Sequence, residues 1–156
     1  MIATQGLKFQ QVLAPSSING TAATTLSIDT RGWDHLDVIV QFGLIGAAPF
    51  DAFALQSSNT DGSYAAVTGL TASGSTGANR LPQDADDGLM AHFGVNLLGH
   101  KRFFSLVADP GAVACLVSAV AILSRGEETP NSMADRGFAI EFLLPAREGD
   151  LLAMDL

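Results

Sequence analysis

From His35 to Phe42 the chain alternates, with Leu36, Val38, Val40 and Phe42 on one side and Asp37, Ile39 and Gln41 on the other. A period of two is the signature of a strand with one buried sheet face. The same pattern recurs in "FDAFALQSS", where Phe53 and Leu55 share a side, and in "LMAHFGVNL", where Leu89, Ala91, Phe93 and Val95 do. "AATTLSI", Ala22 to Ile28, is rich in small and β-branched residues and predicts a further strand, closed by the corner "DTRGWD". Tyr64 to Val67 and "FFSLVAD" predict two more. "CLVSAVAIL" is nearly all apolar, which predicts a strand buried on both faces or placed in mid-sheet.

Turn residues punctuate these segments. Asp61 and Gly62 tolerate positive φ angles and predict a hairpin across Ala54 to Gly69. "TGLTASGSTGANRLPQDADDG" forms the longest loop, long enough to be functional or partly mobile. The count is seven or eight short strands between Ala22 and Leu123, the spacing of an all-β antiparallel sandwich of jelly-roll type. "PNSMADRG" is too short for more than a turn or two of helix. The expected organisation is an N-terminal arm over 1–21, a β-sandwich core over 22–125 and a C-terminal connection with an apolar tail over 126–156. In that tail Phe142, Leu143, Leu144, Leu151 and Leu152 need cover, from their own domain, a neighbouring copy or a larger surface.

Composition narrows the function. The 156 residues fit one domain, and 47% apolar against 15% charged residues allow a sizeable core. Sixteen acidic and eight basic residues leave a formal charge of −8, which opposes a nucleic-acid partner. The longest nearly apolar run, Ala112 to Leu123, is too short to cross a bilayer, so no membrane span is expected. "MIATQGLKFQQVLAP" lacks the basic start and apolar run of a signal peptide, and the single Cys115 has no internal disulfide partner. Both point to synthesis in a reducing cytoplasm.

Candidate chemistry is sparse. No nucleophile elbow, phosphate loop, metal-binding helix or Cys pair occurs in the sequence, and no catalytic residue or cofactor is expected. Asp84, Asp86 and Asp87 before Gly88 resemble part of a calcium loop, but the twelfth position from Asp84 is Val95 where a Glu would be needed. A solvated loop or subunit contact fits them better. His35, His92 and His100 share no ligand spacing that would mark a zinc site. His100, Lys101 and Arg102 make a basic turn in an acidic chain, either a solvated corner or a partner for carboxylates across an interface, with Arg125 and Arg136 as neighbours if the fold allows. Cys115 reads as a small buried hydrophobe, and Trp33 as a core cap more than a sugar platform.

In order, "SIDTRGWDHLDVIVQFG", "ALQSSNTDGSYAAVTG", "FGVNLLGHKRFFSLVADPGAVACLVSAVAILSR" and "GEETPNSMADRGF" resemble a family of jelly-roll decoration, or cement, proteins of tailed bacteriophages. The resemblance covers about Ser27 to Phe138 and rests on the order of the pieces. It implies a structural virion protein without enzymatic activity, made in the host bacterial cytoplasm and bound to the outside of the capsid. The implied partners are the major capsid protein and further copies of the chain, as a dimer or trimer. The candidate contacts are the loop Ser73 to Asp87, the turn His100 to Arg102 and one terminus. A neck or tail adaptor, or a carbohydrate-binding sandwich on a fibre or spike, is the alternative.

Overall fold

The structure is a computed structural model and describes residues 6–128, 130 and 132–141. Among the described residues eight strands form two four-stranded antiparallel sheets, and the expectation of an all-β sandwich holds. In chain order they are β1 (Lys8–Asn19), β2 (Ile28–Asp29), β3 (Trp33–Ile45), β4 (Ala52–Ser58), β5 (Ala65–Thr71), β6 (Met90–Asn96), β7 (Phe103–Asp109) and β8 (Ala114–Gly126). The first sheet runs β1-β8-β3-β6 and the second β2-β7-β4-β5. Chain neighbours β1 and β2 therefore lie in different sheets, as do β3 and β4, β5 and β6, and β7 and β8.

The alternating segments behave as their period requires. On β3, Leu36, Val38 and Val40 are fully buried and pack towards the second sheet. From β7 come Phe104, Leu106 and Ala108, and from β4 Phe53 and Leu55. β8 lies between β1 and β3, so the mid-sheet expectation holds. Its apolar run is buried on one face only: Cys115, Val117, Ala119, Ala121 and Leu123 point inwards while Leu116 stands half exposed.

Two segments depart from expectation. Residues 8–19, read as part of an arm, form β1 and pair with β8 along its length. Register shifts on either side of Leu13 break the period of two, and Val12 and Leu13 are buried side by side. Conversely, most of Ala22 to Ile28 is not a strand. Its backbone is shared between the sheets: the Leu26 amide donates to the Val12 carbonyl, while the Ala23 amide and the Thr25 hydroxyl donate to the carbonyls of Ala108 and Leu106. The segment thus crosses from β1 to β2 tied to both sheets.

Beyond β8 the chain folds back onto β1. The Phe9 amide donates to the Arg136 carbonyl at 2.8 Å, and the rings of Phe9 and Phe138 meet with centroids 4.8 Å apart. Arg136 is buried and paired with Glu141. Phe142, Leu143, Leu144, Leu151 and Leu152 lie outside the described residues.

Candidate functional site

Short connections at the two ends of the sandwich carry the candidate residues. One end is built from the turns at 30–32, 59–64 and 97–102, where β2 leads to β3, β4 to β5 and β6 to β7. The opposite end is built from 46–51, 110–113 and the loop 72–89. The structure therefore separates the two candidate groups: His100, Lys101 and Arg102 are at the first end, and Asp84, Asp86 and Asp87 are at the second.

At the first end the guanidinium of Arg102 donates from Nε and a terminal nitrogen to both oxygens of Asp29, at 2.8 and 2.6 Å. It also lies over the Phe103 ring, 4.6 Å from its centroid. The hydrogen bonds from Arg102 hold the Asp29 carboxyl below the usual carboxylate range. Thr30 adds amide and hydroxyl bonds to the Arg102 carbonyl, so Arg102 fastens the β2 corner to β7. His100, Lys101 and Arg31 remain exposed around a shallow depression shared with Trp33 and Asn59. Arg31 was not singled out from the sequence, because only the fold brings it to the basic turn. Trp33 packs over Gly126, where a Cβ would stand 2.9 Å from its ring, so it caps the sheet. The Tyr64 hydroxyl donates to Asp61 within the hairpin turn.

At the second end Asp86 is turned inwards. Arg80 donates to both of its oxygens at 2.5 Å, and the Gln83 amide to one of them at 3.0 Å. These bonds, Arg80 first, hold the Asp86 carboxyl low. Asp87 accepts the Ile45 amide at 2.7 Å and ties the loop to the end of β3. Asp86 and Asp87 thus shape the loop, while Asp84 is exposed. Asp51 and Asp109 add to the acidity of this end. Of the eight Lys and Arg residues, Arg147 lies outside the described residues and Arg80 alone stands here, already paired. Around these acids, Leu44, Leu89, Met90 and Leu116 expose large apolar side chains.

Two further features depend on the pairing of distant segments. A cleft of about 610 Å³ opens at the β5–β6 edge beneath the long loop. Its floor is Phe42, Phe53 and Phe93, and its rim includes Arg80, Asp86, Met90 and His92. On the outer face of the first sheet, His35 and His92 both approach Asp37, at 3.3 and 2.7 Å. Cys115 is buried, and that burial pushes its thiol up to about 11, so it is protonated and unreactive at neutral pH. No family model and no curated protein matches the chain.

Proposed function

We propose that this chain is a structural protein of a tailed-phage virion, a jelly-roll decoration protein that binds the outer capsid surface and reinforces the shell. The observation that carries the reading is the strand order. Sheets ordered β1-β8-β3-β6 and β2-β7-β4-β5 interleave the chain as two nested Greek keys would, which supports a jelly roll over other sandwiches. The order fits the family that the sequence resembles.

The separation of the candidate groups supports a stapling mechanism. An end of mixed charge that carries the turn His100 to Arg102, and an acidic, apolar end, held apart by long paired strands, can each engage a different neighbour. Area buried at both ends exists only in the assembled shell, so binding stabilises the assembly by linkage, and repetition over the shell multiplies weak contacts. The exposed Leu44, Leu89, Met90 and Leu116 supply apolar area at one end, and Arg31 and Lys101 supply charge at the other. The capsid protein and further copies of this chain are the proposed partners, and no catalytic step is assigned.

Quantitative mass spectrometry of gradient-purified virions tests the reading. A fixed copy ratio to the major capsid protein, near one per shell subunit or per symmetry axis, is the expected result. A handful of copies would move the protein to a neck or tail position, and absence from the particle would overturn the proposal.

A further inference from the structure

We propose that the free edge of β6 pairs with the same strand of a second copy of this chain, joining the first sheets of two molecules into one across a two-fold axis. β6 ends the first sheet, and β3 is its only strand neighbour among the described residues. The ladder fixes which backbone groups are left over. The Phe42 amide donates to the Leu89 carbonyl and the Leu97 amide to the Asp34 carbonyl, so in this register Ala91, Phe93 and Val95 bond to β3. Met90, His92, Gly94 and Asn96 then turn their amides and carbonyls away from the sheet, where no other described backbone group bonds to them.

The opposite side of the sandwich is covered. There the Leu26 amide bonds to Val12 of β1, and the returning chain at Arg136 bonds to Phe9. On the β6 side, β5 is broken by a bulge, its pairing jumping from Ala66 to Thr71 while β4 moves only from Gln56 to Ala54. β6 alone offers a continuous edge there. Its sequence, "MAHFGVN", has no Pro, no Lys and no carboxylate, so it lacks the residues that commonly blunt an edge. Two copies of a chain of charge −8 repel one another, and an uncharged strand is where they approach at least cost.

The second copy fits because the strand is complementary to itself. With Phe93 on the axis all seven residues pair, Met90 opposite Asn96 of the partner subunit and His92 opposite Gly94 of the partner subunit. A shift of two residues would set two His92 or two Gly94 face to face and leave an end of each strand unpaired. In the central register each imidazole meets a glycine, which has no side chain to displace it. Phe93 meets Phe93 of the partner subunit at a non-hydrogen-bonded position, where side chains come closest. Both point inwards, beside the cleft of about 610 Å³ whose floor is Phe42, Phe53 and Phe93. Ala91 and Phe93 pack against the core yet are only half buried, and an added strand would complete their cover.

The pairing gives a surface to the further copies proposed above but rests on register alone, so mass in solution tests it and copy number in virions tests the capsid reading. A seven-residue edge is small beside the about 800 Å² that each partner buries in a standard interface, so the dimer should dissociate on dilution. Sedimentation equilibrium of the untagged full chain, from micromolar to near-millimolar concentration, should approach twice the monomer mass. Gly94→Pro keeps the β3 ladder, because the amide it removes faces outwards. Its Cβ would stand 3.2 Å from the Cε1 of His92, whose side chain is 60% exposed and free to swing aside. The variant should associate at least about tenfold more weakly, since the axis removes a bond on both sides at once. Leu26→Lys, on the covered side, should dimerise like the wild type. Amide exchange of the wild-type chain keeps the test independent of how the variants fold. The amides of Met90, His92, Gly94 and Asn96 should exchange slowly at high concentration and quickly on dilution, while those of Ala91, Phe93 and Val95 stay slow at both. A monomer throughout, a dimer whose outward amides exchange freely, or unchanged association in Gly94→Pro would overturn the pairing. So would protection that persists in the dilute monomer, which would give the edge to another segment of the same chain.

Discussion

Phe50 lies in the connection between β3 and β4, flanked by Pro49 and Asp51, yet only 1% of it is exposed. Its ring meets Phe42 and Phe53 nearly edge to face, with centroids 5.8 and 6.1 Å apart and planes at 81° and 87°. Truncating a buried Phe to Ala costs about 3–5 kcal/mol. Losing two edge-to-face contacts, each worth about 0.5–1.5 kcal/mol, keeps Phe50→Ala clear of the lower end of that range, at about 4 kcal/mol. For a chain of this length each kcal/mol lowers Tm by about 2–4 °C, so the expected fall is about 8–16 °C. Phe50→Leu retains most of the volume and loses chiefly the aromatic geometry, about 1–2 kcal/mol, and should fall by no more than about 8 °C. Differential scanning calorimetry of both variants provides the comparison. The Phe50 amide also donates to the Pro82 carbonyl at 2.8 Å, so amide exchange in the loop 72–89 should quicken in Phe50→Ala. If Phe50→Ala lowered Tm by less than about 4 °C, or if the two variants fell equally, the packing argument would be wrong.

The depressed Asp86 carboxyl stabilises the fold fully above its unfolded value of about 3.9, and that contribution is lost as pH falls through the lower folded value. Asp86→Asn should therefore flatten the decline of Tm below about pH 4, and an unchanged slope would remove Asp86 from the acid response. Cys115 should resist a disulfide reagent at pH 8 in the folded chain and react promptly in guanidinium, because it is buried and its thiol is pushed up to about 11; rapid labelling of the native protein would contradict this. A Cβ at Gly43 would stand 2.8 Å from that of Leu116. Gly43→Ala should then cost about 1–3 kcal/mol by overpacking and cost less in a Leu116→Gly background. Equal cost in both backgrounds would place the strain elsewhere.

The sandwich was legible where the period of two was unbroken. β3 and β7 expose their pattern through Asp37, Gln41 and Ser105, outward polar residues set between buried apolar ones. β1 was illegible for the opposite reason: "KFQQVLAPSSIN" contains register shifts that bury Val12 beside Leu13, so no alternation survives to be read. Ala22 to Ile28 misled because β-branched residues also suit an extended crossover, and composition does not tell which sheet receives each hydrogen bond. The contact residues were legible as polar or charged types, not as roles. Asp86 and Arg80 are six residues apart in an irregular loop, and only the path of that loop turns them face to face. His92 and Asp37 are 55 residues apart and meet through strand register, which no ligand-spacing rule contains. Phe50 was hidden because its Pro and Asp neighbours mark a turn, while its burial is set by Phe42 and Phe53 from strands on either side.

The net charge of −8 conceals how the charges are divided. Arg31 and Lys101 sit at one end beside Asp29, Asp34 and Asp61, while Asp51, Asp84, Asp87 and Asp109 sit at the other, almost without cations, with Leu44, Leu89, Met90 and Leu116 among them. Between the ends lie strands whose side chains are close-packed, and a surface substitution at one end has no shared partner through which to disturb the other. For a protein that staples two neighbours, this has a mechanical consequence. Lys101→Glu and Met90→Asp should each weaken capsid binding by loosening a separate contact, and their free-energy losses should add. A protein that docks by one end only would lose binding with one substitution and ignore the other. The pair of variants therefore separates stapling from simple attachment even where both would place the protein on the shell.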